Sequence, residues 1–244
     1  MPRRLRTSDD VSYSAAVVLD EQVRDAVAAA RPKLRGWLHA GTFPVALAAG
    51  VGLVVLAPSA QARVTSGIFA LTAALLFGVS ALYHRGQWSP RASAVLRRLD
   101  HANIFLIIAG TYTPFTILVL DHSDARILLS LVWAGALVGV AFRVIWLGAP
   151  RWLYVPVYIA LGWAAVFWLP QFASRAGVVV VALIIAGGLL YSAGAVVYAL
   201  KRPNPSPRWF GFHEIFHTCT VAGFAAHYVG IWLVAFGGDA VAAG

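Results

Sequence analysis

The sequence predicts an all-α integral membrane protein: a bundle of seven transmembrane helices with its N-terminus in the cytoplasm and its C-terminus outside. Three observations carry that prediction. Of the 244 residues, 60% are hydrophobic and 12% charged, with a mean hydropathy of +0.75, well above what a water-soluble surface carries. Seven apolar stretches are each long enough to cross the hydrocarbon, which takes about 20 helical residues for roughly 30 Å. The basic residues fall in alternate connections between those stretches, the pattern that orients short loops toward the cytoplasm. Little chain is left for a large extramembrane catalytic domain.

Residues 1–38 read as a cytoplasmic leader. Arg3, Arg4 and Arg6 mix with Asp9, Asp10, Asp20 and Glu21, and no apolar segment with a small-residue cleavage site follows, so a signal peptide is not indicated. Over 17–38, Val23, Val27, Ala30 and Leu34 lie among Arg24, Arg31, Lys33 and Arg35. That pattern fits a helix lying on an anionic leaflet and equally a solvated arm. The spans follow at 39–57, 64–83, 102–120, 127–146, 153–172, 177–200 and 212–236, so that 39–236 is the transmembrane domain and 237–244 a short outer tail. Pro44, Pro114, Pro156 and Gly187 fall inside spans, where neighbouring helices can satisfy the backbone groups they free. Sixteen of the 19 Lys and Arg residues lie in the leader and in the second, fourth and sixth connections; Arg63, Arg126 and Arg175 lie on the other side. The formal charge of +9 therefore marks orientation, and no aromatic-interleaved basic segment points to nucleic acid. Trp37, Trp146, Trp152, Trp209 and Trp232 flank spans as interface anchors.

Ionisable groups within spans are costly, which makes them functional candidates. His84 closes the second span, Asp100 and His101 open the third, and His213, Glu214 and His217 open the seventh; the charge-derived topology brings all of them to the cytoplasmic level. His213 and His217 are spaced i, i+4, which puts them on one helix face about 6 Å apart along the axis, so they can share a metal. With Cys219 as the sole cysteine, a metal must rely on histidines and carboxylates. Zinc takes imidazole nitrogens and, in catalytic sites, three protein ligands plus an open position. His84 is the best third ligand. Ser80, one turn deeper on the same face, and Asp100 stand beside a metal-activated water as hydrogen-bonding and proton-handling groups.

The remaining polar residues have plainer readings. His101 follows Asp100 and turns about 100° away from it; His39 is at most a neighbour of the ligands. His227 lies about 15 Å beyond His217 along the helix, as a deeper polar contact. Cys219 reads as a packing residue, and Asp121, His122 and Asp124 as a solvated turn sooner than as a cation chelate. Gly110-Thr-Tyr-Thr-Pro114-Phe marks either a kink that shapes a cavity or simple helix packing. The stretch His213-Glu-Ile-Phe-His217 also matches H-E-x-x-H, in which Glu is the base of zinc proteases. The extended form needs Gly and His where Thr220 and Gly223 stand, and Asp239 is the only later acid, so the protease stays a minor alternative.

Ser80-Ala-Leu-Tyr-His84, Leu99-Asp100-His101 leading into Gly110-Thr-Tyr-Thr-Pro-Phe, and His213-Glu-Ile-Phe-His217 together resemble the bacterial haemolysin III proteins, a branch of the progestin and adiponectin receptor (PAQR) family. The resemblance spans about residues 36–236. It implies seven helices with a cytoplasmic N-terminus in the bacterial plasma membrane, and one zinc held by His84, His213 and His217 with Ser80 and Asp100 beside it. The wider superfamily includes alkaline ceramidases, which implies a hydrolase of membrane lipid amides or esters. The receptor branch often carries Gln at the position of Glu214, which argues against Glu214 as an obligatory base. Fold alone does not establish function, so two alternatives stay open: a membrane sensor or regulator with structural zinc, and a pore-forming haemolysin. Membrane lipids are the expected partners.

Overall fold

The computed structural model describes residues 32–237. Among these residues, seven segments are long and apolar enough to span a membrane. They are built from α1 (Trp37–Leu56), α2 (Ala60–Arg85), α3 (Pro90–Val119), α4 (His122–Ile145), α5 (Arg151–Gly162), α6 (Leu169–Ala176), α7 (Val178–Leu200) and α8 (Phe212–Phe236), with a 3-10 segment, Ala164–Trp168, joining α5 to α6 in the fifth span. Consecutive spans pack side by side, and α8 closes the bundle against α1, α2, α3 and α7. Phe69, Phe77, Phe105, Leu128 and Ile231 are buried between the helices, while Val45, Val138, Ile145 and Phe167 point outward, as lipid-facing residues should.

Three boundaries differ from the sequence reading. The third helix begins at Pro90 rather than 102, because Ser89 caps it by accepting from the Ala92 N–H at 3.3 Å and proline suits the first helical position. Its first turns, carrying Arg91, Arg97 and Arg98, are thus a basic helix and not a loop, and Asp100 lies inside a helix instead of at its start. The second helix likewise begins at Ala60, capped by Ser59, whose hydroxyl accepts from the Ala62 N–H at 3.1 Å. At 33–36 the chain forms a turn rather than the end of an interfacial helix, since Gly36 adopts a left-handed φ of 80° that ends helical propagation; the rest of the leader lies outside the described residues.

The fifth span, read as one helix, is interrupted. Tyr112 explains how a bilayer tolerates the break: its hydroxyl donates to the Gly162 carbonyl at 2.8 Å and accepts from the Ala165 N–H at 2.9 Å. One side chain thereby satisfies both a carbonyl and an amide where the helix tightens. Tyr112 belongs to the Gly110–Phe115 stretch, and α3 itself runs through Pro114 without ending. Thr113 returns its hydroxyl to the Ala109 carbonyl at 2.8 Å and accepts from Trp133 Nε1 at 3.1 Å. Gly110 brings α3 against α2 so closely that a methyl would overlap the Thr72 hydroxyl. Gly110→Ala gains about 1 kcal/mol of helix propensity, but overpacking costs about 1–3 kcal/mol; a net loss of thermal stability in detergent is expected, and an unchanged melting temperature would show that the α2–α3 contact yields easily.

At the end of the bundle away from residue 32, Arg175 donates to both Asp121 carboxylate oxygens at 2.7 and 2.6 Å. This pins the start of α4 to the end of the fifth span, so Asp121 is held in an ion pair rather than merely solvated.

Candidate metal centre

The site is assembled from the ends of α1, α2 and α8 and from the interior of α3, which carries Asp100. The first turn of α8 fixes the most important pair. Its leading amides cannot all bond within the helix; the Gly211 N–H donates to Glu214 Oε2 and the Phe212 N–H to Asn204 Oδ1, both at 2.9 Å. Glu214 is 1% exposed and accepts from Arg35 Nε through its other oxygen. The turn bearing Arg35 is tied to the connection before α8 by Lys33 N–H to Arg208 O at 3.0 Å and Leu34 N–H to Trp209 O at 3.2 Å. Gly36 then passes over α2 so tightly that a Cβ would fall 2.6 Å from that of His84.

These constraints bring His84, His213 and His217 together, with one ring nitrogen from each within 4.8 Å of the others. His84 Nε2 and His213 Nε2 are 3.2 Å apart. Two nitrogens each about 2.0–2.1 Å from a tetrahedral zinc stand about 3.3 Å apart, so the donor set fits such an ion. His217 is 3% exposed. Its ring stacks on His39, with centroids 3.7 Å apart and planes 6° from parallel, and His39 in turn meets Phe77 edge-on at 5.0 Å. Both nitrogens of His39 are buried without a hydrogen-bond partner among the described residues.

Asp100 and Ser80 flank the cluster. Asp100 Oδ2 is 3.8 Å from His84 Nε2 and equally far from His101 Nδ1. The Ser80 hydroxyl faces Asp100 but makes no bond of hydrogen-bond geometry with any of the described residues, although it is buried. A buried polar atom left unpaired is costly, and this one lies where a polar ligand or water would meet it. His101 turns away: Nδ1 meets the Arg97 carbonyl at 2.7 Å, and Nε2 lies 3.3 Å from the Tyr198 hydroxyl.

A cavity of about 110 Å³ opens from this cluster into the bundle, lined by His39, Ser80, Asp100, His213 and His217 at one end. Its walls are apolar, with Leu76, Ile104, Ile107, Ile108, Val155 and Ile159 among them. A smaller cavity continues past His227 toward Phe172 and Leu169.

The haemolysin-III-related sequence family matches residues 27–228 of this chain. The chain belongs to that family. A hemolysin-3 homolog of Bacillus subtilis is 33% identical over 70% of the chain and 76% of its own length, and a hemolysin-3 of Bacillus cereus is 28% identical over 68% and 73%. A heptahelical transmembrane protein of rice, ADIPOR2, is 32% identical over 67% of the chain and 79% of its length. The kinship joins this haemolysin-III-related protein to the adiponectin-receptor side of the PAQR family as well, and with the seven spans it makes the chain a multi-pass membrane protein.

His39, read from the sequence as at most a neighbour of the ligands, stacks on His217, whereas Arg35 is a residue of the site that the sequence of this haemolysin-III-related protein does not single out. Glu214, a lone acid in the first turn of an apolar helix, was a usable signal for Arg35, because a buried carboxylate requires a cationic partner. Glu214 itself, with one oxygen on Arg35 and the other on the Gly211 amide, is a structural acid. The H-E-x-x-H reading, which needs it as a base at the metal, therefore loses its central residue. Cys219 packs against Gly194 of α7, and Asn204 serves the start of α8.

Proposed function

We propose that this protein is a zinc-dependent hydrolase of membrane lipid amides or esters. The observation that carries the reading is the three-histidine cluster opening directly onto an apolar cavity, with Asp100 and the unpartnered Ser80 at the junction. His84, His213 and His217 would hold the ion. Bound zinc supplies Lewis acidity, polarising a carbonyl and acidifying water.

The remaining chemistry falls to the chain. The apolar walls receive an acyl chain entering from the bilayer and exclude bulk water, so that its carbonyl comes to rest beside Ser80. The Ser80 hydroxyl donates a hydrogen bond to the oxygen on which negative charge develops. The Asp100 carboxylate accepts the proton of the attacking water and returns it to the leaving amine or alkoxide. His39 keeps the His217 ring in its plane by stacking.

Reconstituted protein given a ceramide or a lipid ester is expected to release free fatty acid. Release should stop on chelation and return on zinc addition. A zinc-loaded protein that releases no more fatty acid than the Asp100→Asn variant would favour a sensor with structural zinc.

A further inference from the structure

Deep in the cavity, two polar atoms on different helices lack partners among the described residues. His227 of α8 places Nε2 3.2 Å from the Ile184 carbonyl of α7. A carbonyl only accepts, so Nε2 carries the hydrogen; in the neutral ring Nδ1 is then a bare acceptor. That Nδ1 is buried with no donor facing it. The Tyr191 hydroxyl, also buried, has no partner either. The two rings are neighbours, with centroids 5.6 Å apart, and both line the cavity that begins at the histidine cluster. The arrangement is built in: α7 carries Gly187 where the His227 ring lies, and a methyl there would overlap Nε2. On the same cavity wall, Trp163 Nε1 donates to Ser192 Oγ at 2.9 Å, so that pair is closed to a ligand.

An acceptor and a hydroxyl left open on neighbouring rings suit one chemical group in particular. A ligand hydroxyl can donate to His227 Nδ1 while accepting from the Tyr191 O–H, which satisfies both. A ketone can only accept and leaves His227 unpaired; a methylene leaves both. His227 lies ten residues beyond His217, about 15 Å along the helix. An extended chain advances roughly 1.2 Å per bond, so about a dozen bonds separate the two levels. We propose that His227 and Tyr191 form a hydroxyl-recognition site, which selects an acyl chain hydroxylated near its twelfth carbon while its carbonyl lies at the histidine cluster. The proposal rests on the lipid-hydrolase reading for the orientation of the chain.

Binding of free fatty acids tests it without requiring turnover. Stearic, 12-oxostearic and 12-hydroxystearic acids compete for the full-length protein in detergent against labelled stearate. The wild type is expected to bind the hydroxy acid about tenfold more tightly than stearate, the gain of pairing otherwise open buried groups, with the oxo acid, which pairs Tyr191 alone, between the two. Tyr191→Phe and His227→Leu should each cut that preference below about threefold; Tyr191→Phe removes only an oxygen and keeps the test open where the histidine variant misfolds. Equal affinities in the wild type, a preference that survives Tyr191→Phe, or no binding of either acid overturns the proposal. A hydroxyl preference in a protein that hydrolyses no lipid would overturn the hydrolase reading alone.

Discussion

Asp100→Asn is expected to lower the rate of lipid hydrolysis by about 10²–10⁴-fold, the usual contribution of a positioned acid–base group, while the protein keeps its metal. Asparagine preserves the shape beside His84 and His101, from which the Asp100 carboxylate stands 3.8 Å in each direction, but it cannot take up a proton. The three imidazoles would still converge, because their positions depend on α2 and α8 rather than on α3. Fatty-acid release and bound zinc, measured on one preparation, separate the two roles. A variant that hydrolyses at the wild-type rate with zinc in place would remove Asp100 from the proton path.

Arg35→Ala is expected to destabilise the fold by about 3–5 kcal/mol, the loss found when one partner of a buried ion pair is removed. The reason lies in the asymmetry of the pair: Glu214 is almost wholly buried, whereas the Arg35 side chain keeps 18% of its exposure. Without Arg35 the carboxylate keeps, among the described residues, only the Gly211 amide to stabilise it. Adding Glu214→Gln removes the uncompensated charge and should restore much of the stability, so the double variant should melt above Arg35→Ala alone. Glu214→Gln by itself is expected to retain hydrolysis. Abolished activity in a stably folded, zinc-loaded Glu214→Gln protein would restore Glu214 as a catalytic base and contradict its structural assignment.

The seven spans were legible because their signals are redundant: length, hydropathy and the alternation of basic connections all agree. The convergence of His84, Asp100, His213 and His217 at one level was legible as well, since an antiparallel bundle fixes which helix ends are neighbours. Helix starts were harder to read. Arg91, Arg97 and Arg98 mask the helix that Ser89 and Pro90 announce, because a run of arginines between apolar segments has the pattern of a cytoplasmic connection. The break in the fifth span was hidden for another reason. It depends on Tyr112, a residue about fifty positions away in sequence, whose hydroxyl replaces the missing helix bonds. The stacking of His39 on His217 also depends on how α1 meets α8, which no local pattern records.

The proposed chemistry depends on a metal at the junction of α2 and α8, and metal content measures that directly. Elemental analysis of detergent-purified wild type beside His217→Ala is expected to find about one zinc per chain in the first and almost none in the second, as a three-histidine site that loses one ligand should show. Wild-type protein without bound metal, or a His217→Ala variant that retains the full complement, would contradict the account.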